Sequence, residues 1–349
     1  MSFEKVYRLR RHLENLAREH EGRSLLCRPS AYDPRDYQYL RLAAIGDQKI
    51  KAIDYRSQLP PVFDQGQRGS CVACASAWTV KAWQGIKSGD YPAGGFSAAF
   101  IYTLCKQNDG APEEEGTEPR VAMKVMQKSG VCPEHTLPYA ALSALPAPEV
   151  PAIPDEAWGA AEPFRIGSYA QLCSTGDANR TQALGAMRQA LQNEGPFLIA
   201  LLVCDNFRPD RNNRLPLPQG SVRGGHAVGI AGDLPQEECL ILRNSWGSAW
   251  GDNGYAYLPY AWLSSQGEYG WDVFEAWTAT DLVTSRSAQR IVVTPGANHI
   301  SVDGTRVSLA HPVIGSRNDG LMASVYDLAE NMGYQVKVEG KKLILTRLT

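Results

Sequence analysis

Residues 64–89 read DQGQRGSCVACASAWTVKAWQGIKSG. After Cys71, apolar or small residues fall at 75, 78, 79, 82, 83 and 86, the spacing of one helix face, and the stripe closes at Gly89. Cys71 is therefore expected in the first turn of a helix, directly behind the loop Gly66-Gln67-Arg68-Gly69. A helix start carries unpaired N–H groups and a partial positive charge, both of which favour thiolate over thiol. The two loop glycines let the backbone come close to a bound peptide. The competing reading of this stretch alone is a structural cysteine buried at a helix start.

Outward from that stretch, the 349 residues suffice for two or three cores. Apolar residues at 44% and charged residues at 21% are ordinary for a globular chain. A net charge of −2 gives no electrostatic reason to expect nucleic acid or an anionic membrane as partner. No stretch approaches the roughly 20 apolar residues of a membrane span, and the opening MSFEKVYRLRRHLENLAREHEGRSLL has no signal-peptide core. The expected location is the cytoplasm, with non-classical export as the alternative. Eight cysteines are scattered at 27, 71, 74, 105, 132, 173, 204 and 239. The tight pair Cys71/Cys74 has no second Cys or His pair at zinc-ligand spacing, so no metal is expected. A redox Cys-x-x-Cys is the weaker reading, because a Gly-rich loop precedes the pair rather than a strand of a βαβ unit.

Residues 1–51 alternate basic and acidic side chains on an expected helix, then pass into SAYDPRDYQYL. They read as an arm or pro-segment. A globular unit spans about 52–150, and the alternating prolines of PAPEVPAIP (146–154) make an extended linker. From there to about 283, one helix (ANRTQALGAMRQALQNEG) precedes the strand-like runs FLIALLV, HAVGIAG, CLILRNSW and GYAYLPY. A helical half followed by a β-rich half predicts an α+β fold of two lobes, about 52–150 and 151–283, with a cleft between them. Residues 284–349 read as a separate small ββαββ module, with turn candidates at Asp303-Gly304 and Glu339-Gly340.

Two further stretches carry chemistry. In GGHAVGIAGD (224–233), His226 opens an apolar strand behind two glycines, so its ring can project from the strand end; a lone histidine is also a common structural residue. In RNSWGSAWGDNGYAYL (243–258), Asn244 follows a strand run, and Trp246 and Trp250 occupy a Gly-rich turn. DQGQRGSC, GGHAVGIAG and RNSWGSAWGDNGY resemble, in order, the three signature blocks of the papain-like cysteine peptidases. The resemblance runs from about Ile53 to Thr280, and FSAAFIYTLC and the Gly-Val-Cys-Pro…Leu-Pro-Tyr stretch extend it.

That resemblance implies a papain-like two-lobed catalytic domain over 52–283 and a bacterial-type, divergent member. It implies Cys71 as nucleophile, His226 as base and Asn244 as the residue orienting that base. Gln65 matches the glutamine of the oxyanion hole, and Trp246 the tryptophan that shields the His–Asn hydrogen bond. Gly69, Gly116 (of Glu115-Gly116) and Gly225 are the expected contacts to substrate backbone, with Trp246 beside them. The expected partner is a peptide or protein substrate, and no cofactor is implied. Arg68 stands where many members carry a cysteine, which removes a disulfide, and Val72 replaces the usual aromatic after the nucleophile. Cys71 and His226 are 155 residues apart, beyond the usual span of about 130–150, and the Pro-rich crossover with an insertion near DNFRPDRNNRLPLPQG (205–220) is the expected source of the excess. Glu268 and Asp272 are candidates for a specificity-pocket acid, against the plainer reading of solvated loop charges.

The arm's YDPRDYQY resembles a segment that precedes the catalytic domain in bacterial members, and the expectation is that residues 1–51 lie in or beside the cleft and restrain activity, as in a zymogen. The competing role is a packing strap. The C-terminal module faintly resembles the small stalk domain of some copper amine oxidases; it lacks a His-rich ligand set, and docking to a partner is the expected use. The implied function is a thiol endopeptidase. The alternatives are another acyl-transfer enzyme on the same residues (transglutaminase, ligase or deamidase) and a non-catalytic binding protein.

Overall fold

The computed structural model describes residues 3–14, 16, 19–31, 33, 35–39, 51–177, 180 and 182–282, together with the backbone of five strands beyond residue 289. The chain separates into two compact units, Met1–Asp281 and Leu282–Thr349.

In the larger unit, α1 (Phe3–Glu14) is followed by a small hairpin, β1 (Glu19–His20) and β2 (Arg23–Ser24). Glu21 and Gly22 turn this hairpin with φ of 52° and 73°, the double left-handed geometry of a tight two-residue turn. After β3 (Ile53–Asp54) comes a continuous helical stretch: α2 (Cys71–Ala75), a π-helical turn over Ser76–Lys81, and α3 (Ala82–Ser88). Gly89 closes it at φ 80°, as the sequence predicts. The π turn is not signalled by the spacing of apolar residues; such one-residue expansions recur at functional sites. Helices α4 (Ala98–Asn108), α5 (Pro119–Ser129), α6 (Tyr139–Ser143) and α7 (Asp155–Ala161) complete the helical lobe. Ser97 caps α4 by accepting from the Phe100 N–H at 3.0 Å, and Pro119 opens α5 where its missing donor costs nothing.

The β-rich lobe is built on β4 (Ile166–Cys173), α8 (Ala183–Asn193), β5 (Phe197–Cys204), β6 (Val222–Leu234), β7 (Cys239–Arg243), β8 (Tyr255–Pro259), β9 (Gln266–Gly267), β10 (Gly270–Trp271) and β11 (Val273–Asp281). Six of these strands, in the order β4-β11-β5-β6-β7-β8, form with β3 (paired to β6) one seven-stranded antiparallel sheet, while β9 and β10 pair with each other. The unbroken apolar run of β5 has a simple cause. Leu198, Ala200 and Leu202 face the core shared with the helices, and Phe197, Ile199, Leu201 and Val203 face a second core against α8. Both faces are buried, so no polar alternation survives.

The C-terminal unit contains β12 (Arg290–Val293), β13 (His299–Val302), β14 (Thr305–Ser308), β15 (Tyr334–Glu339) and β16 (Lys342–Arg347) in the order β14-β13-β12-β16-β15. This makes five strands where ββαββ counts four, because the run 299–308 folds back on itself as a hairpin. The expected helix GLMASVYDLAENMGY up to Gly333, Asp303-Gly304 and Gly340 lie outside the described residues; its last residue, Tyr334, opens β15.

Candidate active site

Helix α2 places Cys71 at its first position, wholly buried, and β6 brings His226 to it; the strand begins at Val222, so His226 is its fifth residue and not, as expected, its first. Asn244 follows β7, the strand paired to β6, and its Oδ1 lies 2.8 Å from His226 Nε2. That amide oxygen also accepts from the Ser245 N–H at 2.8 Å, so it can only be an acceptor toward the ring. His226 Nε2 must then carry hydrogen, and Nδ1 is the nitrogen left for Cys71. Trp246 lies over the imidazole with ring centroids 4.8 Å apart and planes inclined by 29°. Phe207 and Trp250 back Trp246, closing water off from the His–Asn bond. The sequence-expected trio and its aromatic shield therefore converge at one point.

Gln65 is buried and held on three sides. Its N–H bonds the Ser245 carbonyl at 2.9 Å, its Oε1 accepts from Ser245 Oγ at 2.6 Å, and its Nε2 donates to the Arg68 carbonyl at 2.8 Å. One amide hydrogen remains for an oxyanion. Tyr139 supports the same segment, donating to the Gln65 carbonyl at 2.8 Å and lying 2.5 Å from Ser70 Oγ. Ser70 is thus occupied with Tyr139 and does not cap α2. Arg68, in place of a cysteine, ties the loop to its surroundings by bonds to the Leu145 and Glu149 carbonyls and an ion pair to Glu115 at 3.3 Å.

The cleft contains a stretch of the chain itself. Residues 24–31 run between the lobes. The Cys27 N–H bonds the Gly225 carbonyl at 3.0 Å on the β-rich side, and the Arg28 N–H bonds the Thr117 carbonyl at 3.0 Å on the helical side. A Cβ at Gly225 would overlap the Cys27 carbonyl oxygen, and one at Gly116 (φ 80°) the Leu26 carbonyl oxygen. Gly69 faces the Leu26 side chain. The three glycines expected to meet substrate backbone meet this strap. Arg23 pairs with Asp64 and donates to the Gly66 carbonyl, and Ser24 donates to the Gln67 carbonyl. Arg28 pairs with buried Asp109 at 2.7 Å and with Glu114 at 2.9 Å, while Ser30 N–H bonds Glu275 at 2.9 Å and Ala31 N–H bonds Glu118 at 3.1 Å. From α1, Arg10 reaches Glu118 at 2.8 Å and Leu9 is fully buried in the helical core.

Facing Cys71, the strap presents a thiol. Cys27 Sγ–H donates to the Cys71 sulfur and is the largest influence holding the Cys71 thiol well below its ordinary range. Burial opposes this, and the His226 ring and the Ala227 N–H reinforce it. Cys27 itself is pushed well up, first by burial and then by that same bond. Cys74 points instead toward Ser70, and burial pushes its thiol up. The two thiols of the Cys-x-x-Cys spacing are thus shifted in opposite directions, Cys71 down and Cys74 up.

Two residues of this site carry no recognisable motif. Cys27 is signalled only by the apolar run Leu25-Leu26-Cys27 inside a charged arm. Glu275, fully buried on β11, accepts from Ser30 N–H and from Trp277 Nε1 at 2.8 Å; burial raises it to about 7. Of the two expected pocket acids, Asp272 is buried and accepts from Ser265 Oγ at 2.6 Å rather than sitting in solvent, and Glu268 remains exposed.

A family model described as papain family cysteine protease matches residues 50–265. The chain belongs to that family. An uncharacterized peptidase C1-like protein of Acanthamoeba polyphaga mimivirus is 30% identical over 210 residues, 58% of this chain and 66% of its own length. A cathepsin B-like protein of Giardia intestinalis is 28% identical over 218 residues, covering 60% of this chain and 68% of that one. The chain thus spans about two thirds of the length of these curated relatives. Among solved structures, xylellain, a cysteine protease from Xylella fastidiosa, superposes with a TM-score of 0.62 at 24% identity, over 77% of this chain and all of that one. Papain-family membership and this superposition bear out the two-lobed α+β fold. Among the described residues no helix is long and apolar enough to cross a membrane, and no group of three or more His, Cys, Asp or Glu side chains could hold a metal.

Proposed function

We propose that this papain-family chain is a cysteine endopeptidase acting through Cys71, His226 and Asn244, held latent by residues 19–31. The observation that carries the reading is the one-sided ring of His226: Nε2 is committed to Asn244, and Nδ1 is left to the Cys71 sulfur. The Cys71 thiolate attacks the scissile carbonyl carbon. The oxyanion receives the remaining Gln65 Nε2 hydrogen and the Cys71 N–H, each such donor contributing about 3–4 kcal/mol. His226 Nδ1–H protonates the leaving amine as the C–N bond breaks, leaving a thioester on Cys71. Water, deprotonated by His226, then attacks that thioester and releases the carboxylate.

Latency follows from the occupant of the cleft. The strap offers Cys71 a side-chain thiol instead of a carbonyl carbon, and its backbone uses the Gly225 and Thr117 carbonyls that a substrate would need. The test is covalent labelling with an epoxysuccinyl inhibitor before and after limited proteolysis of the arm, with a peptide-hydrolysis assay alongside. We expect slow labelling of the intact chain, fast labelling at Cys71 after cleavage, and neither label nor turnover in Cys71→Ser. A cleaved chain that stays folded yet takes no label at Cys71 would remove the peptidase reading. Added amine in the product assay separates hydrolysis from transfer.

A further inference from the structure

Proteins can occlude a cleft with any side chain of suitable size, and the occluding residue here is a cysteine. Cys27 and Cys71 are 1% and 0% exposed, belong to one buried cluster, and lie close enough for each thiol to shift the other's titration. Backbone bonds at Cys27 and Arg28 fix the strap to both walls of the cleft, and Cys71 is fixed by its helix. Two thiols so held side by side are placed for a bond that requires the sulfurs to meet at about 2.05 Å. Serine or alanine at 27 would fill the space as well; only a thiol can also bond.

We propose that Cys27 and Cys71 form a reversible disulfide, making the strap a redox latch on the nucleophile. The proposal rests on Cys71 being the reactive thiolate of the site. With a peroxide as oxidant, the Cys71 thiolate attacks one peroxide oxygen, the O–O bond breaks, and Cys71 sulfenic acid and hydroxide result. The Cys27 sulfur then attacks the sulfenic sulfur; the S–S bond forms, the S–O bond breaks, and that oxygen leaves as water with the Cys27 proton. The hydroxide takes the proton held on His226. Two thiols and one hydrogen peroxide thus become one disulfide and two waters, with two electrons passing from sulfur to oxygen. A dithiol reductant reverses the bond by thiolate exchange through a mixed disulfide. The latch has two effects. It bars substrate while oxidant is present, and it stops Cys71 short of the sulfinic and sulfonic acids that exchange cannot rescue.

The test uses the full-length, reduced, folded chain. It is exposed to a small excess of hydrogen peroxide, blocked with iodoacetamide, digested without reductant and mapped by mass. The expected product is a peptide pair joining Cys27 to Cys71, lost on treatment with dithiothreitol, with the Cys71 thiol recovered. In Cys27→Ser, a near-isosteric change, the same exposure should carry Cys71 to sulfinate or sulfonate and lower its recovery about tenfold relative to the parent chain. The parent chain alone decides the matter should the variant misfold. Cys71 found as sulfinate or sulfonate, still a free thiol, or joined to any other cysteine overturns the latch. Because this readout is mass and not turnover, a failed latch in a chain that hydrolyses peptide after arm cleavage is distinct from a latched chain that never hydrolyses any.

Discussion

At Cys71 three groups converge on one sulfur: the Cys27 thiol, the His226 ring and the Ala227 N–H. Its pKa is depressed, so the thiolate persists as pH falls below the usual thiol value of about 8.5 and is lost only on passing the lower, folded-state pKa. The largest contribution comes from Cys27, which belongs to the strap. Cys27→Ala should therefore move the Cys71 titration upward, measured by thiolate absorbance in the ultraviolet against a Cys71→Ser control; an unmoved midpoint would show that His226 alone sets it. Gln65 has a separate role. Gln65→Glu keeps the acceptor for Ser245 Oγ but loses the donor aimed at the oxyanion, and kcat is expected to fall about 100-fold in the strap-cleaved chain. An unchanged kcat would leave Gln65 a structural residue only. Cys71, His226, Asn244 and Gln65 were legible because three ordered motifs resemble the family's signature blocks, each too weak alone to assign a role. Cys27 and Glu275 were not, because their roles arise from contacts across 44 and 245 residues of chain, Cys27 with Cys71 and Glu275 with Ser30.

Among the elements, the strap is held by ion pairs from Arg23 and Arg28 as well as by buried Leu25 and Cys27. Arg28 is the deepest anchor: its side chain is 9% exposed, and its partner Asp109, wholly buried, also takes Lys106 at 2.9 Å. Removing one member of a buried, hydrogen-bonded ion pair costs about 3–5 kcal/mol, because the other charge is left with one partner fewer. In the strap-open state Asp109 meets water, so most of that cost falls on docking. Arg28→Ala is expected to raise the open fraction about 100-fold, each factor of ten corresponding to about 1.4 kcal/mol. Faster epoxysuccinyl labelling of the uncleaved chain would report it, and an unaltered rate would place the docking energy elsewhere. The helix behind Cys71 was legible from apolar spacing and strands β5, β6, β7 and β8 from their apolar runs, whereas β4 and β11 of the same sheet were not read from the sequence. The β1–β2 hairpin was not, since its strands are two residues each and its turn starts with a glutamate in a conformation that glycine or asparagine usually takes.

For the larger unit as a whole, proton linkage couples the buried carboxyls to the strap. Burial raises Glu134, Glu194 and Glu275 each to about 7. A carboxyl whose folded pKa lies above its unfolded value of about 4.3 contributes stability that is complete below that value and is lost as pH rises through about 7. Asp64, held low by Arg23 and Gly66 against the burial that raises it, works in the opposite sense and weakens the fold only below its unfolded pKa of about 3.9. Glu275 couples this balance to the cleft. It faces Ser30 of the strap, Trp277 on its own strand, and the charge of Glu118, and opening the strap exposes it to water. Its pKa is then lower in the open state than in the closed one, so the closed state binds more proton and rising pH favours opening. For a single group the slope is at most about tenfold per pH unit, confined to the window between about 4.3 and 7. Hydrogen exchange at the Cys27 amide, corrected for the intrinsic pH dependence, should show this rise in the parent chain and lose it in Glu275→Gln, which keeps the acceptor for Ser30 and removes the titration. Parallel slopes in the two proteins would show that Glu275 does not set the pH response of the strap.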